Sequence, residues 1–99
     1  MKTITTTLKR QFFAEIVDGT KRIEYREIKL YWTKRLRHAG VPFILVLRNG
    51  MRPPVPVVTV RINRVTPDPG GKARKGEYEL HIEKVIKVEH WDRKSRRPK

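Results

Sequence analysis

Ninety-nine residues without a cysteine make one domain's worth of chain and exclude both a disulfide framework and a thiolate metal site. Twenty-four Lys and Arg against ten Asp and Glu give a net charge of +14, and self-repulsion of that size points to a polyanionic partner, nucleic acid before any other. No apolar run approaches the roughly 18 residues that a membrane helix needs, and Met1 to Thr7 lacks the apolar centre of a signal peptide. The expectation is a soluble, cytoplasmic monomer with no membrane partner.

Taken in order, Met1 to Thr7 alternates weakly, is rich in Thr and predicts a short first strand. Leu8, Phe12, Phe13, Ile16 and Val17 recur at the spacing of one helical face, which predicts a helix from about Leu8 to Asp18. Gly19 is suited to the left-handed conformation that closes it. Arg22 to Ile28 reads as a strand with Ile23 and Tyr25 on one face and Arg22, Glu24 and Arg26 on the other. Lys29 to Ala39 carries Trp32, Leu36 and Ala39 at helical spacing and stops at Gly40 and Pro42.

The run Phe43 to Leu47 is uninterrupted and apolar, the pattern of a strand covered on both sides, and Asn49-Gly50 follows it as a turn signal. Three prolines between Met51 and Pro56 exclude a central strand there. Val57 to Val65 alternates with Val58, Val60 and Ile62 inward, and Tyr78, Leu80 and Ile82 alternate in a strand that extends toward Val88. Between them, Thr66 to Gly76 reads as a flexible loop with Lys72, Arg74 and Lys75. From Asp92 nothing apolar follows, so residues 92–99 are expected to be a disordered basic tail on a domain of residues 1–91. Eighteen Val and Ile against six Leu favour strands. The fold class is α+β: a small mixed β-barrel of about five strands, with two short helices over its openings.

Gly19, Lys21, Glu24 and Arg26 complete the spacing Gly-x-Lys-x-x-Glu-x-Arg immediately after a helix ending Ile16-Val17-Asp18. With that helix before it and the strand pattern after it, the chain resembles the ASCH domain family, whose fold is similar to the PUA RNA-binding domain. The resemblance implies a PUA-like barrel, a cleft at the helix–strand junction lined by the motif residues, and a role in binding RNA, single-stranded or structured. Some branches of the family act as hydrolases on acylated nucleosides and others as ribonucleases. Three residues after the motif lysine, where the amidohydrolase branch has a hydroxyl, this chain has Glu24.

The residues themselves offer two chemistries. Lys21 and Glu24 are candidates for an acid–base pair, but an offset of three in a regular strand separates their faces, so contact requires Lys21 to sit in the turn. Glu24 and Arg26 share a face and read foremost as a structural ion pair. For Lys21, binding a phosphate or a base carbonyl is the simpler role for an exposed ammonium than nucleophilic attack.

Basic residues interleaved with aromatics are the signature of a nucleic-acid surface. The candidate RNA contacts are Lys21, Arg22, Glu24 and Arg26 in the motif, Tyr31, Lys34 and Arg35 on the second helix, Lys72, Arg74 and Lys75 in the loop, and Arg93, Lys94, Arg96 and Arg97 in the tail. Trp32 and Tyr25 read as core residues. His81 and Glu83 share a strand face, but no pair of the three histidines has metal-ligand spacing, and neither a metal nor a cofactor is expected.

Overall fold

Alternation of β-branched residues in the second half of the chain builds the centre of the molecule. In the computed structural model, which describes residues 1–72 and 75–99, β4 (Val57–Thr66) and β5 (Glu77–Glu89) form its longest antiparallel pair. Val58, Val60 and Ile62 of β4 and Leu80 and Ile82 of β5 all turn to the same interior. The two strands slip register at three places between Thr59 and Arg64, and such bulges bend and twist a strand pair. The resulting curl makes the sheet a half-barrel rather than a flat layer.

The remaining strands extend this pair on both sides. β3 (Phe43–Arg48) pairs antiparallel with β4, and β1 (Thr3–Thr7) adds parallel to β3. On the other flank β2 (Ile23–Glu27) pairs antiparallel with β5. The order is β1-β3-β4-β5-β2, so β1 and β2 are the two free edges of the curl. Helix α1 (Arg10–Asp18) lies between β1 and β2 in the chain, and α2 (Leu30–Ala39) between β2 and β3.

Each helix closes the interior with one apolar face. Phe13, Ile16 and Val17 of α1 and Trp32 and Leu36 of α2 join the strand residues in one continuous core. The expected α+β class, two short helices and five main strands are therefore present, but the sheet is an open, curled half-barrel where a barrel was expected. No described helix is long and apolar enough to cross a membrane.

Three further expectations need correction. Phe43, Leu45 and Leu47 of β3 are fully buried but Ile44 and Val46 only partly, so one face of β3 packs in the core and the other is half covered. Residues 92–99 are not left as a free tail: β6 (Trp91–Asp92) and β7 (Arg97–Pro98) form a small hairpin. Its root is the Trp91 side chain, 5% exposed, whose ring centroid lies 4.7 Å from that of Phe13. Tyr25, read as core, is 45% exposed. The reason is register, since Tyr25 stands opposite Glu79 on the outer face of β5 while Glu24 stands opposite the buried Leu80.

Candidate nucleotide-binding cleft

The cleft begins with a glycine. Gly19 ends α1 at φ +84°, a left-handed conformation that side-chain-bearing residues adopt only at a cost. The chain then folds back so that the Glu15 carbonyl accepts from the amides of Thr20 and Lys21, at 3.0 and 3.1 Å, and from the Thr20 hydroxyl at 3.2 Å. Lys21 is thereby held in the turn before β2 begins, which is the condition for it to reach Glu24. Its ammonium lies 3.5 Å from Glu24 Oε1.

Glu24 is the one buried charged residue among those described, 3% exposed. Burial of an ionised carboxylate is costly unless charge and hydrogen bonds compensate it. Arg26 supplies both on the opposite side: its Nε and Nη2 donate to Glu24 Oε2 at 2.9 and 2.6 Å. The carboxylate is thus gripped by a guanidinium through one oxygen and approached by an ammonium at the other. Oε1, with the longer contact, keeps acceptor capacity toward the cleft.

Arg26 has a second task. The same Nη2 donates to the Thr7 carbonyl at 2.8 Å and Nη1 to the Thr6 hydroxyl at 3.3 Å. It therefore ties the two free edges of the half-barrel, β2 to β1, across the open seam. The indole of Trp32 is approached by two guanidinium groups, with Arg26 and Arg35 each 5.1 Å from its ring centroid. Arg35 donates to the Thr5 carbonyl at 2.9 Å, so arginines cover two carbonyls of the β1 edge.

The cleft opens beside the seam, with a volume of about 780 Å³, within the range of small-molecule sites. Glu24 and Arg26 of β2, Thr7 to Lys9 after β1, Asn49-Gly50 and Glu77 are among the residues that line it. Asn49 fixes its rim by donating from Nδ2 to the Leu8 carbonyl at 2.9 Å. Two half-exposed rings flank the lysine: the ammonium of Lys21 is 5.3 Å from the centroid of Phe12 and 5.0 Å from that of Tyr25. Cation–π attraction of this kind holds an ammonium in place without removing its donors.

Of the residues singled out in the sequence, Lys21, Glu24 and Arg26 converge here. Arg22 does not; its guanidinium donates to the Glu83 carbonyl of β5 at 3.2 Å. Tyr31, Lys34 and Arg35 lie on α2 outside the cleft, where Arg35 donates to the Tyr31 hydroxyl at 2.9 Å. Lys72 and Lys75 are exposed in the loop, and Arg74 lies outside the described residues. Arg93, Lys94, Arg96 and Arg97 sit on the β6–β7 hairpin.

The site also includes residues that pattern reading passes over. Phe12 counts as core by its helical spacing but is 38% exposed and faces the cleft. Asn49 and Gly50 are visible in the sequence only as a turn, and Glu77 as one of several alternating carboxylates.

His81 does not form a metal set with Glu83. Its Nε2 lies 3.6 Å from Glu79 Oε1 and 3.2 Å from the Thr66 hydroxyl, while Glu83 pairs with Arg61 at 2.8 Å. Comparison with protein-family models, curated proteins and solved structures finds no match.

Proposed function

We propose that the chain is a single-domain RNA-binding protein of the ASCH type, with a PUA-like barrel, and that its cleft receives one nucleotide or base. The observation that carries this reading is the buried Glu24 carboxylate, held between Lys21 and Arg26 in a cleft that Phe12 and Tyr25 also line. A buried carboxylate repels a phosphate but accepts N–H groups, and an ammonium next to it donates to a carbonyl or ring nitrogen. Adjacent donor and acceptor groups are what the edge of a nucleobase presents. Phe12 and Tyr25 offer faces for stacking, an interaction of roughly 1–3 kcal/mol per base.

The net charge of +14 supports the same partner, since exposed cations around the cleft attract phosphates without selecting sequence. Titration of short single-stranded and structured RNAs at low salt tests the proposal. The expected result is micromolar or tighter binding, weakened tenfold or more by Lys21→Ala. Absence of binding to every RNA at low salt, or a salt-independent affinity, rejects it.

A second reading rests on the 3.5 Å contact between Lys21 and Glu24: a small hydrolase, either a ribonuclease or an amidohydrolase of acylated nucleosides, using the two as an acid–base pair. Engagement of the lysine by a carboxylate and two rings favours its use as a fixed cation, so binding is the stronger reading. Incubation with acylated cytidines and with single-stranded RNA separates them. Turnover by the wild type that disappears in both Lys21→Ala and Glu24→Gln establishes the enzyme.

A further inference from the structure

The β6–β7 hairpin carries the densest positive charge in the chain, with Arg93, Lys94, Arg96, Arg97 and Lys99 in seven residues. Its charges are not equivalent. Arg96 is turned back onto α1, where Nη2 lies 2.8 Å from Asp18 Oδ2. Asp92 is also occupied: its Oδ1 accepts from the Lys94 amide at 3.0 Å, and hydrogen bonds from Ser95 and Lys94 hold its carboxyl below the usual carboxylate value. Asp18 and Asp92 are thus both satisfied within the protein. Arg93, Lys94 and Arg97 are exposed and have no carboxylate partner among the described residues.

The hairpin is also fixed in place at three points. Trp91 is buried against Phe13, Arg96 is bound to Asp18, and the Lys99 amide donates to the His90 carbonyl at 3.0 Å. All three points rest on α1 or on the hairpin's own root. α1 turns Phe12 to the cleft and Phe13 to Trp91, so one rigid helix joins cleft and hairpin. Between Arg96 and the outer face of α1 lies a shallow groove of about 450 Å³, lined by Arg10, Gln11, Ala14 and Glu15.

We infer that the docked hairpin, with Arg10 across the groove, is a second RNA contact that grips the phosphodiester backbone at a fixed offset from the cleft. It rests on the RNA-binding reading above and adds that docking, and not charge alone, gives the hairpin its effect. Ordering these cations in the free protein removes an entropic cost that a flexible tail meets on binding. An anionic membrane is the poorer match, because residues 92–99 carry no apolar side chain other than Pro98 to enter a bilayer surface.

Two variants separate docking from charge. Asp18→Ala removes the anchor of Arg96 and makes the protein one unit more positive. If charge alone matters, RNA binding stays the same or tightens; docking requires it to weaken several-fold at constant salt. The triple variant Arg93→Ser, Lys94→Ser, Arg97→Ser keeps the anchors and should lower the slope of log K against log salt by about two, at roughly 0.7 per phosphate contact on a single strand.

An unchanged slope in the triple variant, or unchanged or tighter binding by Asp18→Ala, overturns the inference while leaving the cleft reading intact. Failure of the wild type to bind any RNA removes both. Hairpin-dependent binding to phosphatidylserine vesicles, with an unchanged RNA slope, assigns the surface to lipid and overturns it as well.

Discussion

At the scale of single residues, the site depends on one buried charge and one backbone conformation. Glu24 is enclosed by two cations that are themselves partly exposed, so its loss leaves Arg26 and Lys21 repelling each other over a polar void. Glu24→Ala is expected to destabilise the fold by about 3–5 kcal/mol, the scale for breaking a buried ion pair. Lys21→Ala should cost about 1 kcal/mol or less, because its ammonium reaches the cleft and Arg26 still holds the carboxylate. Urea denaturation of the two variants measures the difference. Equal losses would make Lys21 a structural residue and weaken its assignment to ligand binding.

Gly19 belongs at the same scale. A Cβ there meets nothing within 4 Å, so crowding is not the obstacle; the positive φ of +84° is. Gly19→Ala should cost about 1 kcal/mol in denaturation. It should also weaken RNA binding by more than that stability loss explains, because the same turn places Lys21.

Among elements, the edge strands β1 and β2 are the weak point of the fold and Arg26 is what joins them. An open curl leaves two unpaired edges, each able to pair with another chain. Arg26, braced by Glu24 on its own strand, crosses to the Thr7 carbonyl, while Arg35 satisfies the Thr5 carbonyl. Lysine keeps the charge at position 26 but lacks the planar fork that makes these bonds together. Arg26→Lys is therefore expected to speed amide exchange in β1 and β2 while leaving β4 protected, as hydrogen–deuterium exchange would show.

The hairpin has its own acid limit. Hydrogen bonds from Ser95 and Lys94 hold the Asp92 carboxyl below the value of a free aspartate in the folded protein. A depressed carboxyl contributes stability above its unfolded value and loses it as pH falls through the folded one. The Lys94 amide resonance should therefore stay constant from neutral into mildly acidic pH and shift only with a midpoint below that of a free aspartate. A shift centred above that value would place the Asp92 contact elsewhere.

Over the whole molecule, a net charge of +14 on 99 residues opposes folding by self-repulsion. Salt that screens surface charges relieves it, since the Debye length falls from about 30 Å at 0.01 M to about 10 Å at 0.1 M. Thermal denaturation should accordingly show Tm rising across that interval, and rising further with bound RNA, which stabilises the folded state by mass action. A Tm that falls with added salt would mean that native ion pairs, such as Glu24 with Arg26, outweigh the global repulsion.

The order of elements from β1 to β5, the stop at Gly19, the inward face of β4 and the charge excess were all determined by sequence alone, because each is a local pattern or a sum over residues. Which face of β2 turns inward was not. Alternation separates Glu24 and Arg26 from Ile23 and Tyr25 but does not say which pair meets the core. Hydrophobicity suggests Tyr25; pairing with β5 places Glu24 beside Leu80 instead.

The clasp from Arg26 to Thr6 and Thr7 joins residues about twenty positions apart, and the hairpin is ordered by Trp91 meeting Phe13 across most of the chain. Such contacts are properties of the closed sheet and its helices, and no local window of sequence contains them. The motif from Gly19 to Arg26 was legible from its residues. That its carboxylate is buried, gripped on one side and approached by an ammonium on the other, was decided by the tertiary structure, because only the curl of the sheet brings that strand face into the interior.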